Sequence, residues 1–260
     1  MMGPYLPPEI LDNITDLLHS EPKALRNCCL VSKSWVPRTR RHIFFDISFP
    51  SSGKLTRWKK TFPDPANSPA YHVRTLFFGC PEAIEEGDVE ELEGGWIQSF
   101  SHIEELRVSD MNYAPAKSFS LDLFHKSSPS LKSLRVFSTA LPLSQILNFV
   151  CSLPLLEDLA LTVYGQFAIS GDESTPAFSP STSPPLTGTL EFPLQRGMTD
   201  AARRLLDLPN GLRFRKFDLI WRDEEDLRWI EKLVVACSNT LEYLDISQGW
   251  GGAVHSISSG

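Results

Sequence analysis

No stretch of this chain approaches the roughly 18 consecutive apolar residues that a membrane span requires. The opening Met1-Met2-Gly3-Pro4-Tyr5 lacks the basic and apolar regions of a secretory signal. Cysteine is sparse. The five present (Cys28, Cys29, Cys80, Cys151, Cys237) are odd in number, scattered, and form no CxxC pair. That argues against a disulfide frame or a zinc site and for reduced thiols in cytosol or nucleus, packed as small hydrophobes. Positive charge is also short. A net charge of −7 and a pI near 5.4 argue against nucleic acid as a partner, because phosphate binding needs a basic face. Catalytic signatures are missing as well. The six histidines show no HExxH or HxH spacing, and there is no GxSxG, P-loop or GxGxxG with a suitable acid. No catalytic residue, metal or cofactor is therefore expected. An enzyme hidden in an irregular α/β domain stays as a rival, favoured by a deep pocket of converging His, Asp or Ser groups.

What is there begins with apolar residues, 42% of the 260, enough for a sizeable core. Charge is uneven. Residues 1–62 carry ten Lys/Arg against five Asp/Glu; the remainder carries fifteen against twenty-seven. The two parts differ in pattern too. Leu6-Pro7-Pro8-Glu9 opens a helix, since proline in a first turn removes an N–H that would have no partner there. Ile10, Leu11, Ile14, Leu17 and Leu18 follow as one apolar stripe on a 3.6-residue period. Pro22 starts a second helix with Ala24, Leu25, Cys28 and Cys29 on its apolar side. Ser32 is an N-cap candidate for a third, with Arg38, Arg40, Arg41 and His42 on its exposed side. Some forty residues cannot bury this much apolar surface alone. Either the module packs on the following domain, or it shows an apolar face to a partner helix.

The run Leu6-Pro7-Pro8-Glu9-Ile10-Leu11, the stripe through Ile14, Leu17 and Leu18, then Leu25 and Cys28-Cys29-Leu30-Val31-Ser32-Lys33-Ser34-Trp35 resembles an F-box of the fungal type. The resemblance covers about forty residues and implies a three-helix docking module for the Skp-family adaptor of an SCF ubiquitin ligase. Matched by position, Leu6, Pro7, Pro8, Ile10, Ile14, Leu17, Leu30, Val31 and Trp35 are the implied adaptor contacts or their support. Each is open to the plainer reading of core packing, Trp35 most readily.

Beyond the module, Pro50-Ser51-Ser52-Gly53 is a break, and a short basic helix is expected with Leu55, Trp58 and Phe62 inside. Pro63 to Pro69 reads as loop. From Tyr71 a pattern recurs: apolar, two others, then apolar-x-apolar. Its central positions are Leu76, Leu106, Leu134, Leu159, Leu190, Phe217 and Leu244, spaced by 25 to 31 residues. A unit of that size signals stacked repeats, each with a short strand. Helices are expected between copies at 144–151, 199–208 and 227–237. This resembles an irregular leucine-rich repeat of the kind found behind an F-box. The family's Asn after LxxLxL is absent; Pro81, Met111, Thr139, Tyr164, Arg222 and Gly249 stand there instead. No polar capping helix follows the last copy.

Gly171 to Pro185 is rich in Pro, Ser and Thr and reads as a surface loop, in which Thr175, Ser179 and Ser183 precede proline as candidate phosphorylation sites. Glu82 to Glu93 is an acidic run, read as a solvated loop or helix face. The expected fold is α + α/β: an F-box over 1–49, a linker with a short basic helix over 50–70, an irregular leucine-rich-repeat-like α/β solenoid over 71–248 with a loop insertion at 170–186, and a tail over 249–260. The expected function is that of a non-catalytic substrate receptor. The adaptor, and through it a cullin, would be held by the first domain and a target protein by the second, with no nucleic acid or membrane as partner. Arg107, Arg135, Asp218 and Asp245 flank strand positions and are candidate target contacts, or simply solvated charges. An F-box scaffold without a ligase role is the other reading.

Overall fold

The computed structural model describes residues 7–79, 96–110, 124, 129–138, 143–163, 185–192, 198–208, 210–221 and 223–248. The described residues are a mixture of helix and parallel strand. The acidic run, the Pro/Ser/Thr segment with Thr175, Ser179 and Ser183, Leu6, the six positions in place of the family Asn, and the tail fall outside them. The chain divides into two compact units, Met1–Lys132 and Ser133–Gly260.

The first unit opens with three helices, α1 (Pro8–Leu17), α2 (Pro22–Val31) and α3 (Val36–Ile43). All three carry proline in the first turn, and none has a side-chain cap of its own. Ser32 does cap, but one step earlier. Its hydroxyl accepts from the Ser34 amide at 3.3 Å, at the head of a 3-10 turn over Lys33–Trp35 that leads into α3. After α3 comes a strand that the repeat pattern does not predict, β1 (Asp46–Phe49). Its signal was alternation in Phe45-Asp46-Ile47-Ser48-Phe49.

The basic helix is present as α4 (Ser52–Thr61). Trp58 lies edge-on to Phe44 and Phe49, with ring centroids 5.9 and 5.7 Å apart, and 4.8 Å from Phe62. Phe100 joins the cluster 6.1 Å from Trp58. Helix and strand ladder thus share one aromatic core. Pro63–Pro69 is more than loop. Ser68, Pro69 and Ala70 are buried at the start of a 3-10 turn over Pro69–His72, where the Ala70 amide donates to Ser68 Oγ.

Strands β2 (Thr75–Gly79) and β3 (Glu105–Asp110) continue the ladder. β1, β2 and β3 run parallel in chain order, with Ile47, Leu76 and Leu106 in one register row and Phe49, Phe78 and Val108 in another. Leu76, Leu106, Phe78 and Val108 are buried. Two residues apart along a strand means the same face, so each apolar-x-apolar pair points into the core.

The second unit repeats this logic. β4 (Ser133–Ser138) pairs in parallel with β5 (Asp158–Val163), aligning Leu134 with Leu159 and Val136 with Leu161. β6 (Leu186–Phe192), β7 (Leu212–Trp221) and β8 (Tyr243–Gln248) form a second parallel set, in which Leu190, Phe217 and Leu244 share a row. Every central position of the sequence pattern therefore lies on a strand. The connecting helices are α5 (Leu143–Cys151), α6 (Met198–Leu206) and α7 (Glu224–Ala236). Their buried faces include Ile146, Leu147, Phe149 and Val150 on α5, Ala202 and Leu205 on α6, and Ile230 and Leu233 on α7. Parallel strands require such crossovers. Gly188 has φ +98° at a register shift in β6, and a Cβ there would stand 2.6 Å from the Asp158 Cα, so glycine is demanded on both grounds.

Two features depart from expectation. Leu244 and Ile246 are 42% and 38% exposed, whereas their register partners Phe217 and Leu219 are fully buried. Among the described residues β8 is the edge of its sheet, and all six of its residues are exposed. The second concerns how successive copies are tied. A hydroxyl just before the strand does it: Ser130 Oγ donates to the Ile103 carbonyl (3.1 Å) and Thr240 Oγ1 to the Phe214 carbonyl (3.1 Å). Both stand one residue ahead of the first apolar position of their copy. Thr187 Oγ1, one place later, reaches the Glu157 carbonyl at 2.6 Å.

Candidate protein-docking site

The N-terminal helices bury little and expose much. On α1, Leu11 and Thr15 face inward, Ile14 and Leu18 are half-buried, and Ile10 and Leu17 point to solvent. The stripe read from the sequence is therefore divided, its inner edge packing and its outer edge free. On α2 Leu25 is buried, while Leu30 and Val31 at the C-terminal end are 85% and 72% exposed. Leu17 is 80% exposed. Four large aliphatic side chains, two on α1 and two at the end of α2, are thus open to water. Isolated exposed leucines are ordinary; a group of them on one small module is the mark of a binding surface.

Of the other expected contact residues, Pro7 and Pro8 are exposed at the start of α1. Trp35 is half-buried, and its carbonyl accepts from Thr39 Oγ1 at 2.6 Å. Leu6 lies outside the described residues. Cys28 and Cys29 are half-buried on α2, not enclosed as the general tendency of free cysteine predicts.

The exposed side assigned to α3 needs correction. Arg40 and Arg41 are exposed, but Arg38 and His42, i and i+4, turn toward α1 and meet Asp16. Arg38 Nε donates to Asp16 Oδ1 (2.8 Å) and Nη2 to Oδ2 (2.5 Å). His42 Nε2 lies 2.7 Å from Oδ1. The Arg38 hydrogen bonds, and after them that of His42, hold the Asp16 carboxyl down to about 2; the same contact raises Arg38 above its usual value. This ion-pair group fixes α1 against α3 immediately beside Leu17.

No protein-family model matches this chain, and no curated protein matches its sequence.

The residues expected to touch a target are spread over several strands. Arg107 on β3 is exposed and pairs with Glu105 at 2.8 Å, which raises its pKa. Arg135 on β4 stands 3.8 Å from Asp158 on β5. Asp218 and Asp245 are register partners on β7 and β8, and Glu191 on β6 shares their row, a residue that the sequence reading passed over. Among the described residues no three His, Cys, Asp or Glu side chains are grouped to hold a metal ion. An open groove of about 910 Å3 runs along α7, lined by Glu224, Glu225, Arg228, Trp229, Glu231, Lys232, Val235 and Ala236, all from one helix and without His, Cys or Ser. Among the described residues no helix is long and apolar enough to cross a membrane.

Proposed function

We propose that this protein is a substrate-receptor subunit of an SCF-type ubiquitin ligase, its N-terminal F-box docking the Skp-family adaptor and its leucine-rich-repeat-like strands holding a target. The observation that carries the reading is the exposure of Ile10 and Leu17 on α1 and of Leu30 and Val31 on α2, four positions the F-box resemblance implies. A helix-in-groove interface is held by a few such anchors, buried on binding. Parallel strands at spacings of 25 to 31 residues accord with the repeat domain expected behind an F-box. The protein does no chemistry in this role. It raises the effective concentration of target lysines beside a ubiquitin donor.

The test is co-purification of the full chain with a Skp-family adaptor. Leu17→Ala with Leu30→Ala should cut adaptor recovery at least tenfold, since hot-spot truncations typically cost more than about 1 kcal/mol each. Circular dichroism should be unchanged, because both side chains are largely in water already. Equal recovery of adaptor by wild type and variant sinks the reading. Cullin recovered with the adaptor would separate a ligase subunit from a scaffold.

A further inference from the structure

Between the helices and the first strands of the N-terminal unit lies a concentration of positive charge that runs against the acidity of the chain as a whole. α3 ends in Arg40 and Arg41 and packs on the 3-10 turn that carries Tyr71 and His72. Arg74 follows directly. Its Nη1 donates to the Tyr71 and Val73 carbonyls (3.1 and 3.3 Å), so its guanidinium is held in place by backbone. Glu104 is the one carboxylate paired with it among the described residues, at 3.4 Å from Nε, and Glu104 is shared with Lys132 Nζ at 3.3 Å. Arg40 and Arg41 are exposed and have no ion pair among the described residues. Arg40 and Arg41 thus add two cations that no carboxylate among the described residues pairs with.

His72 reports on this field. Burial lowers its pKa first, and then Arg74, Arg40 and Arg41 lower it further. The lowered pKa disfavours a charge on the ring, so the positive charge here is that of the arginines. The Tyr71 ring, 53% exposed, lies 3.9 Å from the His72 ring and gives the cations an aromatic neighbour. Basic side chains in the last turn of a helix complement its dipole, which accounts for Arg40 and Arg41 by themselves. It does not account for Arg74 and the ring pair being brought to the same place.

We propose that Arg40, Arg41 and Arg74, with the Tyr71–His72 ring pair, form a docking patch for a short acidic segment of another protein. Like charges held together repel, and an incoming anion relieves that repulsion. Guanidinium groups take carboxylate or phosphoester oxygens in two-point contacts, and Arg and Tyr are the side chains enriched at binding hot spots. The footprint suits a few anionic groups. A nucleic acid needs a long basic face with many phosphate contacts. Here the neighbouring strands carry acidic groups, the exposed Asp46 on β1 and Glu105 on β3, the latter paired with Arg107.

Fluorescence anisotropy on the full chain tests this with two labelled octapeptides, one of alternating Glu and Gly, one with a single phosphoserine among glycines. Binding of either at micromolar concentration is expected, and which binds tighter identifies the anionic group. Arg40→Glu with Arg41→Glu should weaken it at least tenfold. Lys54→Glu with Arg57→Glu, an equal charge change on exposed α4 positions, should leave it within twofold. In the wild type, saturation with peptide should raise the pKa of the His72 ring, followed by NMR. Equal weakening by both double variants would mean general charge attraction and overturn the proposal. So would the absence of binding by both peptides, or tighter binding of a single-stranded oligonucleotide of equal charge.

Discussion

Asp16 has two partners at once, and its protonation is a direct probe of the N-terminal module. Its ordinary pKa is 3.8, and in the folded chain it is about 2. A depressed carboxyl stabilises the fold above its unfolded value and ceases to do so as pH falls through the folded one. The contribution is therefore intact at neutral pH and lost between about pH 4 and about pH 2. Asp16 is 41% exposed, so solvent screens the group and the gain is at most about 1 kcal/mol. Asp16→Asn should lower the urea midpoint at pH 7 by a corresponding amount. At pH 2 wild type and variant should unfold together. A gap of the same size at both pH values would mean that Asp16 acts through packing and not through its charge.

At the scale of the element, matched strand positions separate burial from residue type. Leu159 on β5 is fully buried and Leu244 on β8 is 42% exposed, although both are the central leucine of their copy. Leu159→Ala should cost about 2–5 kcal/mol and Leu244→Ala under about 1 kcal/mol, read from denaturant midpoints. The same comparison shows how far the sequence could be read. Strand placement was legible because apolar-x-apolar alternation at a steady interval has few other causes: Leu76, Leu106, Leu134, Leu159, Leu190, Phe217 and Leu244 all lie on strands. Exposure was not, because it depends on what lies over a strand, and nothing in Leu241-x-x-Leu244-x-Ile246 distinguishes an edge from an interior. On α1 the period located the stripe but not its division into Leu11 facing inward and Leu17 facing out. The Asp16–Arg38–His42 group joins residues more than 20 positions apart, and a string of charges after a helix cap reads equally well as a solvated face. The hydroxyls of Ser130 and Thr240 were hidden for another reason. A leucine-rich repeat keeps its Asn after the strand, while this chain makes its tie before the strand.

For the whole molecule, uneven charge separates two kinds of recognition by their response to salt. An adaptor interface of aliphatic anchors should be nearly constant between about 50 and about 500 mM NaCl, because burial of apolar surface is little screened. Acidic-peptide binding at Arg40, Arg41 and Arg74 should fall steeply over the same range. Calorimetric titrations of one protein sample against both ligands would give the two slopes side by side. Parallel slopes would mean that a single charged surface serves both.

Strand order follows chain order in each unit, and β8, paired among the described residues with β7 alone, is solvent-exposed along its full length. A load applied just after Gln248 would therefore meet an open seam first. Pulled in an optical trap, the second unit should peel from β8 inward and not rupture all at once. Each released copy of about 27 residues should add roughly 90 Å of contour, at about 3.3–3.6 Å per residue. So open a strand offers an unfoldase a starting grip at β8.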